Sequence, residues 1–204
     1  MRVVTMQNIL VVTPSLDVAS LKDFIALAKA KPGRLSYGSS GIGSLSHLAG
    51  ELLKSMTGID IVHVPYKGQP PAILDLIAGR VEALFAAAPP ALPHIKAGKL
   101  KAIAVATARR SPNLPDIPAV SETVPGFDAE TWYGLMAPAG TSRQVIRKLN
   151  TTIARFLEDP GVAQKLAAQG FQPAANSPQD FAKHLRSELV KWRTVIKATG
   201  MKAE

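Results

Sequence analysis

Between residues 8 and 106, short apolar runs alternate with segments of helical periodicity, and glycine or proline marks most exchanges. Asn8 to Val12 reads as a buried strand stopped by Thr13-Pro14. Ser20 with Asp23 three residues on is a capping-box-like start, and Leu21, Phe24, Ile25 and Ala28 then share one helical face. Pro32-Gly33 ends that helix. Leu35 to Gly38 is extended and runs into Ser39-Ser40-Gly41-Ile42-Gly43-Ser44. Leu45, Leu48, Ala49, Leu52, Leu53 and Met56 follow at helical spacing. Ile59 to Val64 is a strand, Pro65 to Pro71 a turn, Ala72 to Ala78 a helix, and Val81 to Phe85 and Lys101 to Ala106 are strands. Strands separated by helices in this way predict a mainly parallel sheet with helices on both faces.

The rest of the chain reads differently. Pro112, Pro115, Pro118, Pro125 and Gly126 make regular elements hard to sustain over 107–130, which reads as an irregular connection. Thr131 to Met136 is a strand. Three helices follow, with start signals at Thr141 with Gln144, at Asp159-Pro160 and at Ser177-Pro178. A few strands do not make a large sheet, so residues 131–204 read as needing sheet partners from elsewhere.

The formal net charge is +9, with 11 Lys/Arg against 6 Asp/Glu over residues 1–102 and 13 against 9 over 103–204. An even spread argues against nucleic-acid binding, which concentrates charge on one face. With no cysteine, disulfides, thiolate metal sites and a cysteine nucleophile are excluded. The four histidines, His47, His63, His94 and His184, show no ligand spacing, so neither a metal nor a cofactor is expected. No stretch approaches the roughly 20 apolar residues of a membrane helix. The first ten residues lack the apolar core of a signal peptide.

Two loops carry the chemistry. In the first, a strand ends, Ser39, Ser40, Gly41, Gly43 and Ser44 turn the chain, and a helix begins. Glycines let the backbone approach a ligand closely. The helix start adds unsatisfied N–H donors and partial positive charge. The product is an anion cradle suited to a carboxylate or phosphate. The plain structural alternative is a tight turn with a serine cap. The turn lacks the lysine of a Walker loop, and Asp60 precedes the next strand where a Rossmann fingerprint needs its acid after it. The second loop, His63 to Gly68, also follows a strand, so Tyr66, Lys67 and Gly68 belong at the same edge of the sheet. Lys67 reads equally well as a solvated surface lysine, and His63 as a strand residue with a satisfied ring. No serine sits in a G-x-S-x-G elbow and no acidic pair shares an obvious site, so an enzyme is not expected.

Several segments resemble the tripartite tricarboxylate transporter receptors, also called Bug proteins. They are Tyr37 to Ser44, His47 to Leu53, Val62 to Gly68, Ala91 to Leu100, Arg110 to Pro118, Trp132 to Gly140 and Ala167 to Gly170, in a match from about Asn8 to Lys202. The resemblance implies an α/β, type II periplasmic-binding-protein fold of the Venus-flytrap kind, present as one complete lobe plus the C-terminal part of the other. Residues 1–12 would be a remnant of the first lobe and hinge strand, 13–127 the second lobe, and 128–204 the mainly helical return of the first lobe. The family normally begins with a signal peptide and roughly a hundred further residues, so the chain reads as N-terminally truncated.

The implied function is periplasmic capture of a small carboxylate for membrane transporter subunits. Ser39, Ser40, Gly41, Gly43 and Ser44 would bind the carboxylate, with Tyr66, Lys67, Gly68 and Ala86 lining the site. Ala86-Ala87 stands where the family usually carries Asp-Asn, a change that removes polar ligand contacts. The competing readings are the effector domain of a transcription regulator, for which residues 1–20 are too few to hold a helix-turn-helix, and a small hydrolase acting through Ser39, Ser40 or Ser44.

Overall fold

The strand read over Asn8–Val12 is preceded by a second extended run, and the two enter different sheets. In the computed structural model, which describes residues 1–201, β1 (Arg2–Met6) and β2 (Asn8–Val12) precede α1 (Leu21–Ala30), β3 (Ser36–Ser39), α2 (Leu45–Thr57), β4 (Val62–Pro65) and α3 (Gln69–Ile77). Then come β5 (Ala83–Ala87), α4 (Ala88–Lys96), β6 (Lys101–Val105), α5 (Val120–Thr123), β7 (Thr131–Gly134), α6 (Arg143–Glu158), α7 (Pro160–Ala168), β8 (Phe171–Pro173) and α8 (Pro178–Thr199). The chain divides into two compact units, one of residues 1–6 with 131–192, the other of residues 7–130 with 193–201. Lys202, where the family resemblance ends, lies outside the described residues.

The larger unit holds a five-stranded sheet in the order β4-β3-β5-β2-β6. β3 pairs in parallel with β4 and with β5, whereas β2 runs antiparallel to both β5 and β6. Four strands therefore share one direction, and β2 departs from the parallel expectation. The crossover through α2 holds β3 and β4 parallel. β2 is joined to neither neighbour by such a crossover, so nothing imposes that direction on it.

Side chains alternate across this sheet. Ile9, Val11, Leu84, Ala86 and Val105 face a core with Ile73 and Leu76 of α3 and Ala88 and Ala91 of α4. On the opposite face, Phe85 stacks on Phe127 with ring centroids 6.0 Å apart. Tyr37 and Gly38 divide in the same way. A Cβ at Gly38 would meet Ala72 of α3, while Tyr37 lies against Gly50 of α2, where a Cβ would overlap its ring. Helices thus cover both faces.

The proline-rich stretch 107–130 is part of this unit's fabric, not a loose connection. Val105 N–H donates to the Pro118 carbonyl and Ala129 N–H to that of Ala106. Ala119, Val120 and Phe127 are buried. Arg110 makes a forked pair with Glu122, Nε to Oε1 at 2.8 Å and a second nitrogen to Oε2 at 2.9 Å. Prolines interrupt ladders and helices here, yet apolar anchors between them still pack. The proline pair at residues 70–71 likewise sits inside the first turn of α3, where the sequence suggested a turn, because the first turn needs no N–H donor.

The smaller unit has a three-stranded antiparallel sheet in the order β7-β1-β8. β1 is the central strand, so the chain's first residues supply the sheet partner that β7 and β8, both within 131–204, lack by themselves. Trp132 packs edge-on against Phe181 and His184 of α8, and its indole N–H donates to Glu188 Oε2 at 3.3 Å. An apolar cavity of about 380 Å³ is lined by Met1, Leu149, Ile153, Phe181 and Leu185 among others. The caps at Asp159 and Ser177 form as expected, through Val162 N–H to Asp159 Oδ1 (2.9 Å) and Asp180 N–H to Ser177 Oγ (3.0 Å). The cap of α6 is Ser142, one residue after the expected Thr141, whose hydroxyl donates instead to the Pro138 carbonyl.

Candidate functional site

β3 and β4 run side by side in parallel, with Ser39 opposite Pro65, so the turns that leave them emerge at one edge of the larger unit's sheet. Backbone hydrogen bonds zip them together. Tyr66 N–H donates to the Ser39 carbonyl (3.0 Å) and Gly68 N–H to that of Ser40 (3.2 Å). Gly68 takes this position with φ +100°, a conformation open mainly to glycine.

The 39–44 turn is wired from within. Ser46, the second residue of α2, accepts at its Oγ from Ser40 N–H (2.9 Å) and touches the hydroxyls of Ser40 (3.1 Å) and Ser44 (3.0 Å). Gly41 N–H donates to Ser39 Oγ (3.2 Å), and Gly43 N–H to His47 Nδ1 (3.1 Å). Ser44 N–H and Ser44 Oγ both donate to the Gly41 carbonyl, at 3.2 and 2.6 Å. Gly41 and Gly43 have φ of +131° and +74°. Ile42 and Gly43 form the exposed tip. Behind them Ser44 caps α2, accepting from His47 N–H at 3.4 Å. Leu45 and Ser46, the first helical positions, keep N–H groups without intrahelical acceptors. The result is a backbone turn of fixed shape at the positive end of a thirteen-residue helix.

The structure treats the expected residues unequally. Ser40, Gly41, Gly43, Ser44, Lys67 and Gly68 are brought together, with Lys67 exposed beside the zipped turns. Ser39 is 0% exposed, with its Oγ 2.6 Å from His63 Nε2 and 3.1 Å from the Gly41 carbonyl. Its hydroxyl braces the turn from inside, and no substrate carbonyl reaches it, which removes it as a hydrolase nucleophile. Tyr66 gives its hydroxyl to Asp75 Oδ2 (2.9 Å), itself paired with Arg80 (2.6 Å). Burial, then the Asp75 bond, push the Tyr66 hydroxyl up to about 12. Ala86 is fully buried in the α3–α4 core and presents no surface to a ligand. Its neighbour Ala87 offers its N–H to Gln69 Oε1 (3.1 Å).

Residue-level reading missed the supports of the turn: Ser46, His47 and, in this role, His63. Because Tyr37 is the register partner of His63, their side chains lie together on the α2 face. His47 descends from α2 onto them and stacks on His63, with centroids 3.7 Å apart and planes 6° from parallel. Burial lowers the pKa of His47 below the usual imidazole value. For His63, burial first and then the neighbouring His47 bring it to about 4. Tyr37 donates to Glu51 Oε1 (2.7 Å), which also pairs with Lys54 (2.9 Å). Burial and this carboxylate push the Tyr37 phenol upward. The signal for Ser46 and His47 was their position in the first turn of a helix following a glycine turn.

The chain matches, over residues 1–201, the family model described as the tripartite tricarboxylate transporter family receptor. It is 37% identical to the protein BugT of Bordetella pertussis over 195 residues, which is 95% of this chain and 60% of that protein. It spans 58% of the length of the UPF0065 protein in the tcbD-tcbE intergenic region of Pseudomonas sp., another curated relative, as it spans 60% of BugT. Among solved structures it resembles R. palustris Rpa4515 with adipate, at 40% identity and TM-score 0.84, covering 98% of this chain and 68% of that one. It also resembles MatC from Rhodopseudomonas palustris with bound malate, at 28% identity and TM-score 0.76, covering 96% and 68%. The architecture is that of part of the type II periplasmic-binding-protein fold.

Proposed function

The chain belongs to the tripartite tricarboxylate transporter receptor family, and from that premise we propose that it captures a small carboxylate at the 39–44 turn for delivery to a membrane transporter in the periplasm. The family is one of solute-binding receptors, not of enzymes. Binding without chemistry suits a turn whose polar groups are amides and hydroxyls bonded to one another.

The observation that carries this reading is the internal bonding of the turn. Ser46 and His47 consume the inward-facing groups, so the exposed tip at Ile42–Gly43 and the opening of α2 have a fixed shape before any ligand arrives. The N–H groups of Leu45 and Ser46, without intrahelical acceptors and held in place by the braced turn, favour a carboxylate because little ordering remains to oppose binding. Lys67 adds positive charge at the same edge. Similar proteins solved with adipate and with malate point to short dicarboxylates as the ligand class.

The test is calorimetric titration of this chain with adipate and malate, alongside Gly43→Val. Nothing lies within 4 Å of a Cβ at Gly43, so the substitution acts through its φ of +74° and not through a clash. Saturable binding weakened by about fivefold or more in the variant is expected, since a β-branched residue costs upward of ~1 kcal/mol in that conformation. Equal binding by both proteins would contradict the assignment to this turn.

A further inference from the structure

The turn depends on two histidines that no ligand needs to touch. Gly43 N–H has its acceptor in His47 Nδ1, 3.1 Å away. An imidazole nitrogen accepts that bond only while it carries no proton. His47 stacks on His63, whose Nε2 lies 2.6 Å from Ser39 Oγ, and Ser39 Oγ in turn accepts Gly41 N–H. The stacked pair therefore holds the turn at both ends, Ser39–Gly41 on one side and Gly43 on the other.

We infer that the His47–His63 stack positions the anion-binding turn, and that a proton gained at His47 Nδ1 releases Gly43 N–H and costs the turn its ligand on acidification. This rests on the reading that the 39–44 turn binds the carboxylate.

The surroundings agree with a neutral pair. Two imidazoles with centroids 3.7 Å apart disfavour charge on both. The groups facing them are Tyr37 from β3 and Glu51 and Lys54 from α2. Glu51, the one carboxylate among these, already pairs with Lys54 and accepts from Tyr37. It is thus a weakened partner for an imidazolium. Burial lowers both histidines, so the stack stays neutral at neutral pH and takes a proton only in acid. The positioning role and a purely electrostatic role predict opposite signs. Positive charge behind an anion site would tighten binding on acidification, whereas loss of the Gly43 bond weakens it.

The experiment follows adipate affinity from about pH 8 to about pH 5 in the unsubstituted chain and in His47→Asn, whose Oδ1 accepts the same N–H without titrating. The Gly43 amide resonance is followed over the same range without ligand. Adipate's own protonation affects both proteins alike, so the difference in slope isolates His47. We expect a larger loss of affinity toward the acid end in the unsubstituted chain than in His47→Asn, with the Gly43 amide moving in step. Identical slopes, tighter binding in acid, or a Gly43 amide that ignores pH would each overturn the inference. If adipate binds at no pH while Gly43 still titrates, the binding reading fails and the histidine clamp stands. Should His47→Asn not fold, the Gly43 titration in the unsubstituted chain decides the clamp alone.

Discussion

Gly50 shows how one residue sets the geometry behind the site. It faces the buried Tyr37 ring, and a Cβ there would overlap ring atoms that are also tied through the hydroxyl to Glu51. Gly50→Ala should therefore destabilise the chain by about 1–3 kcal/mol, the usual range for overpacking, as read by urea denaturation. An unchanged midpoint would mean the ring moves freely. His63 gives a second prediction. Its folded pKa of about 4 lies below the usual 6.5, so folding favours the neutral ring. That contribution is whole above about pH 6.5 and is lost as pH falls toward about 4. The urea midpoint should drop through this window, and His63→Phe should flatten the drop.

Gly41 and Gly43 were legible as turn residues because their chemistry is local. Ser39 was legible as part of the turn but not as its interior brace. That role depends on His63, 24 positions on, arriving on the neighbouring strand in one register. The burial of Ala86 was hidden for the same reason, since strand parity decides which face it takes.

Elements followed their local signals closely where caps and periodicity agree. Asp159 is the clearest case, ending α6 and capping α7 through Val162 N–H. Asp159→Ala should cost about 1 kcal/mol, measured as a shift in the unfolding midpoint. Asp159→Asn, which keeps an acceptor, should cost less. Elements whose existence depends on distant partners were harder to read. β1 and β8 are short, and each becomes a strand only through the sheet β7-β1-β8. Likewise β2 was legible as a strand but not in direction, because its direction shows only in its pairing with β5 and β6, strands far along the chain to which no crossover joins it.

At the scale of the molecule the two units differ in how much they bury. The five-stranded sheet is enclosed at its centre, with β2 and β5 buried along their whole lengths. In the smaller unit Leu149 and Phe156 of α6 are 52% and 62% exposed, and Leu157 alone in that helix is buried. Hydrogen exchange should therefore be slowest in β2 and β5 and faster in β7, β1 and β8, since local opening follows local burial. Equal protection in both sheets would show that the smaller unit is stabilised by more than these contacts.

The most direct measurement of the account is a map of backbone amide shifts on adding adipate. Binding at the turn should move the amides of residues 40–46 with Gly68, and leave those of β7, β1 and β8 in place. Saturable shifts confined to the smaller unit, with residues 40–46 silent, would contradict it.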